Sequence, residues 1–334
     1  MKICLVGEYS GRLDEGMKNI TFYLTRELSK HNKVLNLNPK AALSLGFWRK
    51  VKNFRPHIIH YIPGPSLQSF ILARALALNY GRAKVVMSAF HPAISSFSKR
   101  FIPSLKPDIV LIQSYRTEKM LSDLDCRTAF LPSGVDVKKF STVSAITKDK
   151  LREKYGIDRK KFIVLHVGHL NKGRNLQVLG QLQVEGNQVL IVGSTSTKVD
   201  RGICRQLERK GCIIWENYCD RIEEVYALAD CYTFPTLDAL NSIELPLSVM
   251  EAMACNLPVV STRFGALDRI FSEGDGLFFV ETETEFVDRL EKLKAGGIEV
   301  KTREKVLPYS WENVGARMEE IYSELCPAGD KGES

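Results

Sequence analysis

The sequence predicts an α/β chain built of two doubly wound domains, and three observations carry that reading. At 334 residues the chain is too long for one small core. Its 44% hydrophobic and 26% charged residues fit a soluble, globular protein. Short β-rich runs alternate with longer stretches of apolar residues at three-and-four spacing, and this rhythm runs once, breaks, and runs again.

In the first round the expected strands are KICLV (2–6), KVLNL (33–37), HIIHYI (57–62), KVVMSAF (84–90) and DIVLIQS (108–114). MKNITFYLTRELSKH, LSLGFWRKVKNF and LQSFILARALAL lie between them with helical spacing, so the sheet should be parallel and Rossmann-like. PSGVDVKKFSTVSAITKD (132–149) lacks a sustained period and reads as a linker. The second round is KFIVLHVG (161–168), NQVLIVG (187–193), GCIIWEN (211–217), DCYTFPT (230–236) and LPVVST (257–262), separated by helical stretches such as RIEEVYALAD. A last helix, SWENVGARMEEIYSELC, begins behind Ser310 and repeats Trp311, Val314, Met318, Ile321, Tyr322 and Leu325 on one face. The expected division is therefore 1–140, 141–309, a terminal helix 310–325, and a frayed tail 326–334. Two such domains are expected to face one another across a cleft at the carboxyl ends of their sheets.

The net charge of +8 is uneven. Residues 1–140 hold 22 Lys+Arg against 9 Asp+Glu, while the remainder holds 25 against 30. A basic first half suggests an anionic partner or membrane surface, or simply a solvated basic face. No helix-turn-helix, zinc-finger or RNA-recognition signature accompanies the charge, so nucleic acid is not expected. Eight cysteines without a C-x-x-C pair read as buried thiols in a reducing compartment. MKICLVGEYSG is too short an apolar run for a secretory signal, and Arg74 breaks the most lipophilic segment. The expected location is the cytoplasm, without a spanning helix.

Chemistry is expected where strands end, above all in CYTFPTLDALNSIELPLSVMEAMA. Pro246 suits a first helical turn, whose free amides and positive dipole favour an anion such as a diphosphate. Glu244 lies in the loop ahead of it and Glu251 in the second turn, where a carboxylate can accept hydrogen bonds from adjacent hydroxyls of a sugar. The bland alternative is that Glu251 decorates an exposed helix face, against which Val249, Ala252, Met253 and Ala254 argue. His166 with His169, and His57 with His60, are three apart in strands and point to opposite faces, so no metal site is expected from them.

This segment resembles the signature of the retaining glycosyltransferases of family 4, whose GT-B fold comprises two Rossmann-like domains. In that family a glutamate, seven intervening residues and a second glutamate run into a helix reading EAMA, as Glu251-Ala252-Met253-Ala254 does here. GEYSGRLDEGMKN, LPSGVDVKKF, HVGHLNKGRNL, ALADCYTFPT and SWENVGARMEEIY follow the family's order as well, so the resemblance extends along nearly the whole chain.

The resemblance implies that Glu251 binds the ribose hydroxyls of a nucleotide and that the amides of Leu247 and Ser248 meet its diphosphate. The family's first glutamate falls at Ile243, which leaves two possibilities: the loop shifts so that Glu244 holds the sugar, the alternative we favour, or the sugar is held differently. Where the family has an arginine after the glycine and a lysine beyond, this chain has His169 and an early Lys172, with Arg174 nearby. Lys172 is the stronger phosphate candidate, because a permanent ammonium suits phosphate better than a neutral imidazole. Gly16 is implied to allow close approach of the donor, and His91 to lie near the reacting sugar, although an ordinary helix-entry glycine and a structural histidine are equally consistent readings. Gly193 and Ser194, with Tyr218 and Cys219, fall where the base would sit. The terminal helix is implied to cross back to the N-terminal domain.

The implied reaction moves a sugar from a nucleotide diphosphate sugar to an acceptor hydroxyl with retention, needing no cofactor and no metal. The acceptor is expected on the basic first domain, where GFWRKVKNFRP and SFSKRFIPSLK suit a lipid-linked or cell-envelope glycan and a peripheral place on an anionic membrane. A sugar-nucleotide-binding protein without transfer activity, or a GT-B epimerase, are the alternatives.

Overall fold

Lys2–Val6 forms β1, and four of its five side chains are buried because neighbours cover the strand on both faces. Lys33–Leu37 (β2), Ile58–Tyr61 (β3), Lys84–Ser88 (β4), Ile109–Ile112 (β5) and Thr128–Phe130 (β6) join it in one sheet. The order is β2-β1-β3-β4-β5-β6 and every pairing is parallel. A second sheet contains Phe162–Gly168 (β7), Asn187–Gly193 (β8), Ile213–Trp215 (β9), Cys231–Phe234 (β10), Val259–Ser261 (β11) and Leu277–Phe279 (β12). Its order is β12-β11-β10-β7-β8-β9, again wholly parallel. This computed structural model describes residues 1–13, 15–81 and 83–327.

The expected strands are all present. Two further ones, β6 and β12, are three-residue edge strands whose TAF and LFF runs are too short to carry a period. The linker stretch also holds a helix, Ala145–Lys154, which starts where the Ser144 hydroxyl accepts from the Thr147 amide at 3.2 Å. The tail expected after Leu325 lies, from residue 328 onward, outside the described residues.

The chain divides into two compact units. The first takes Met1–Gly134, the short segment Ile243–Leu245 and the chain from Trp311 on; the second takes Val135–Ser242 and Pro246–Ser310. Ile243–Leu245, expected in the C-terminal domain, thus belongs to the first unit. The segment is anchored there by the Glu244 amide, which donates to the Phe90 carbonyl at 2.8 Å.

The terminal helix Trp311–Leu325 also packs within the first unit. All six residues expected on its apolar face are buried. Trp311 stacks on Tyr23, with ring centroids 5.2 Å apart and planes 6° apart. Deeper in, His60 hydrogen-bonds the Tyr322 hydroxyl at 2.6 Å and Ser88 at 2.7 Å, all three side chains being wholly buried. Burial pushes the His60 imidazole down to about 3, so it is neutral. Each sheet reverses its winding once, between β1 and β3 in the first unit and between β7 and β10 in the second. Open α/β sheets bind ligands at the carboxyl ends of strands beside such a switch.

Candidate functional site

At the second switch, β10 runs through residues 235–246 into the helix Leu247–Ala254. Pro246 stands at the cap position itself, with φ −63° and ψ 120°, one residue earlier than a first-turn proline. It brings no side-chain cap. The amides of Val249 and Met250 donate to the Pro246 carbonyl at 3.2 and 3.4 Å. Those of Leu247 and Ser248 have no acceptor among the described residues, so the helix offers two free donors and its positive end.

One turn further, Glu251 is half-buried. Its Oε2 accepts from the Tyr226 hydroxyl at 2.8 Å, whereas Oε1 has no partner among the described residues. Burial pushes the carboxyl upward, and the Tyr226 hydrogen bond and the Lys139 charge pull it back. Tyr226 is itself fully buried, and Phe140 meets its ring edge-on at 5.5 Å. One oxygen is therefore fixed in place while the other remains open to vicinal hydroxyls.

The loop after β7 brings the cations. Lys172–Arg174 forms a tight 3-10 turn, which presents Lys172 to solvent and turns Arg174 inward until it is 5% exposed. No carboxylate pairs with Arg174 among the described residues, and its buried Nε has no partner. The guanidinium instead lies 5.8 Å from the Phe234 ring centroid. Burial pushes it down to about 10, so it is charged at neutral pH. A buried cation without a counter-ion is costly unless something anionic joins it.

Beside it, His166 is wholly buried, and its Nδ1 donates to the Thr233 carbonyl at 2.9 Å. A carbonyl only accepts, which places the proton on Nδ1 and a lone pair on Nε2. Nε2 is buried without a partner. A Cβ at Gly168 would lie 3.1 Å from Arg174 Nη1 and 3.3 Å from His166 Nε2, so both groups converge on the end of β7. Burial pushes His166 down to about 4. Buried polar atoms of Asn171 and Thr236, from the loops after β7 and β10, are likewise unpartnered.

Of the other residues expected in this unit, His169 is half-buried beside Thr197, with Nδ1 and Oγ1 3.0 Å apart. Gly193 ends β8 against Leu170, and the Ser194 amide donates to the Gly168 carbonyl at 3.1 Å, which ties the two loops together. Tyr218 and Cys219 are half-buried in the loop after β9. Gly16 and His91 belong to the first unit, Gly16 opening the helix Gly16–Leu28 and the His91 amide donating to the Gly64 carbonyl at 3.2 Å.

Residues 147–310 match the family model described as Glycosyl transferases group 1. That match places residues 147–310 in the group 1 family. It is 25% identical over 231 residues to a D-inositol 3-phosphate glycosyltransferase of Corynebacterium jeikeium, covering 62% of this chain and 54% of that protein. The chain thus spans about half the length of that curated relative. Sucrose-phosphate synthase of Thermosynechococcus elongatus superimposes with a TM-score of 0.80 at 16% identity, over 97% of this chain and 98% of that one. Anabaena HepE, in complex with UDP and glucose, gives 0.75 at 15% identity over 97% and 100%. These likenesses show the fold, which is the α/β two-domain GT-B architecture.

Against the group 1 signature, one expectation needs correction. Glu244 is not a free carboxylate replacing the one missing at Ile243. It is 7% exposed and accepts from the Ser114 hydroxyl at 2.7 Å, the Ser114 amide at 3.2 Å and the Thr117 hydroxyl. Those donors open the helix Tyr115–Ser122, so Glu244 is a buried cap of the first unit. Ile243 fills the space left by the absent Cβ of Gly16, where a built Cβ would lie 3.0 Å from its Cδ1.

Sequence reasoning missed Tyr226, Gly173 and Asn241, and weighed His166 only as a metal ligand. A Cβ at Gly173 would come within 2.0 Å of the Asn241 amide, so glycine there lets the cation-bearing turn close on residues 239–241. The KG pair was visible, but the partner that requires it is 68 positions further along the chain.

Proposed function

We propose that the chain is a retaining, metal-independent glycosyltransferase that moves a sugar from a nucleotide diphosphate sugar to a hydroxyl of a glycan or lipid-linked acceptor. The observation that carries this reading is that three groups, all within the second unit, are left unanswered. They are the two free amides at Leu247 and Ser248, the buried Arg174 without a carboxylate, and the open oxygen of Glu251. A nucleoside diphosphate answers all of them, since its phosphates suit the amides and guanidinium and its ribose suits the carboxylate.

As the glycosidic bond breaks, positive charge develops on the sugar and negative charge on the departing phosphate. Arg174, Lys172 and the helix amides stabilise that phosphate, doing by fixed charge what a cation would otherwise supply. Arg174 takes the larger share, because it is buried and oriented while Lys172 is solvated. His169, half-buried and next to Thr197, contributes at most one hydrogen bond.

The test is to incubate the purified chain with a panel of nucleotide sugars, starting with UDP-glucose because HepE was solved with UDP and glucose. Nucleoside diphosphate release that rises with an added acceptor, and a product with the donor's anomeric configuration, is the expected result. Binding without release supports a second reading, a sugar-nucleotide-binding module. Ile243 at the signature position, with Glu244 held by Ser114 and Thr117, favours that reading. Release without acceptor, together with an epimerised sugar, points to an epimerase instead.

A further inference from the structure

From Leu28 to Pro107 the chain contains no Asp or Glu, yet it holds 13 Lys and Arg. At the chain's average acidic content, a stretch of that length carries about nine acids. The helices Leu45–Phe54, Leu67–Asn79 and Ile102–Leu105 come from this stretch. All three bury side chains in one cluster on one face of the first sheet, namely Phe47 and Val51, Phe70, Ala73 and Leu76, and Ile102. Their other sides form an outer surface of the first unit.

That surface is both cationic and apolar. Among the described residues no acid pairs with Arg49, Lys50, Lys52, Arg74, Lys99 or Arg100. Leu43 and Leu45 are fully or almost fully exposed, and Leu78, Ile71, Phe97 and Phe101 are exposed as well. Phe97 and Phe101 pack edge to face, 5.4 Å apart, with Lys99 and Arg100 between them in sequence. Large apolar side chains set among unpaired cations suit neither water nor an ordinary polar partner. Both components are satisfied at once where anionic headgroups lie over acyl chains.

The same surface contains a pocket of about 650 Å³ lined by Trp48, Arg49, Lys52, Asn53, Asn79 and Tyr80. Trp48 and Tyr80 stack with planes 16° apart and form its aromatic wall. Their polar atoms are already satisfied, the indole N–H by the Ala42 carbonyl at 2.8 Å and the phenol by the Trp48 carbonyl at 2.7 Å. The charged groups of the pocket are the two cations, which no described acid answers, so what they lack is an anion.

We propose that this face docks on a bilayer containing anionic phospholipid, with one lipid phosphate held in the pocket by Arg49 and Lys52 while Leu43, Leu45, Leu78, Phe97 and Phe101 enter the interface. No described helix is long and apolar enough to cross a membrane, so the contact is a surface one. The proposal concerns the first unit and does not depend on what the second unit binds.

The full chain is to be sedimented with vesicles of phosphatidylcholine, with and without phosphatidylglycerol, over a range of salt. Binding to the anionic vesicles, released by salt and absent from the neutral ones, is expected. The double variant Arg49→Gln with Lys52→Gln should lower vesicle affinity roughly tenfold or more, given the contribution of each basic residue near an anionic surface. Leu43→Ser with Leu45→Ser should weaken it as well, with the circular dichroism and nucleotide binding of the parent retained in both variants. Equal binding to neutral vesicles, parental affinity in the charge variant, or uptake of soluble glycerol phosphate without vesicle binding would each overturn the proposal.

Discussion

The Ser114 hydroxyl donates to Glu244 at 2.7 Å, and the two residues lie 130 positions apart. With the Ser114 amide and the Thr117 hydroxyl, this bond makes a carboxylate from the signature loop the cap of a helix in the first unit. We predict that Glu244→Ala destabilises the protein by about 1–3 kcal/mol, the cost of leaving buried donors unpaired. Nucleotide affinity, measured by calorimetry, should be unchanged. A large loss of donor binding with stability intact would restore Glu244 to the sugar site.

Glu251 should behave oppositely. Tyr226→Phe frees its anchored oxygen, and Glu251→Ala removes both. We expect Glu251→Ala to weaken nucleotide binding about tenfold to a hundredfold, as for a charged group hydrogen-bonded to hydroxyls. The parent should prefer a ribonucleotide over its 2′-deoxy counterpart, and both variants should lose that preference. Retained discrimination in Glu251→Ala would remove the ribose assignment.

Arg174 combines catalytic use with structural cost, so its replacement separates the two. Arg174→Met takes away a buried cation that has no counter-ion, and the protein should become about 1 kcal/mol more stable by thermal unfolding. Donor cleavage should fall by about 10²–10³, the range for losing one oriented donor at a developing anion. Lys172→Met, at a solvated position, should cost less on activity and nothing on stability.

His166 offers a pH test. Its folded value of about 4 lies below the free value of 6.5, so between those limits the unfolded chain binds a proton that the folded chain refuses. Stability should therefore fall as pH drops through that window, by up to about 1.4 kcal/mol per pH unit for this one group. The carboxyls of Glu244 and Glu251, both pushed up by desolvation, act with the opposite sign. The informative measurement is thus the difference in slope between the parent and His166→Gln. Nitrogen-15 shifts should show the Nδ1–H tautomer at neutral pH.

Gly173→Ala should act through the turn it closes. The added methyl meets the Asn241 amide, so the backbone carrying Lys172 and Arg174 must shift. We expect a fall in kcat, with Asn241→Gly in the same chain restoring part of it. Full activity in Gly173→Ala alone would show that the tight turn is not needed.

Much of the fold was legible because parallel strands buried on both faces read as short apolar runs, and helices repeat at 3.6. β1, β2 and β8 begin and end where those runs do. β6 and β12 escaped because an edge strand of three residues has too little sequence to show a pattern. Glu251, Leu247 and Ser248 could be singled out from sequence because a helix start and the residues of its first turns are local features. Glu244 could not be read correctly, since adjacency to Glu251 along the chain says nothing of which unit a loop packs into. Ser114 and Thr117, 130 and 127 positions away, decide where its carboxylate goes. Arg174 was legible only as a charge near Lys172, and its burial to 5% exposure beside Phe234 is set by packing. The sequence by itself determined the two parallel sheets, the helix start that offers its amides, and the acid-free stretch from Leu28 to Pro107, because these depend on periodicity, local backbone chemistry and composition. The tertiary structure decided which charged groups are satisfied and which are left open, because that depends on neighbours distant along the chain and on the water their packing excludes.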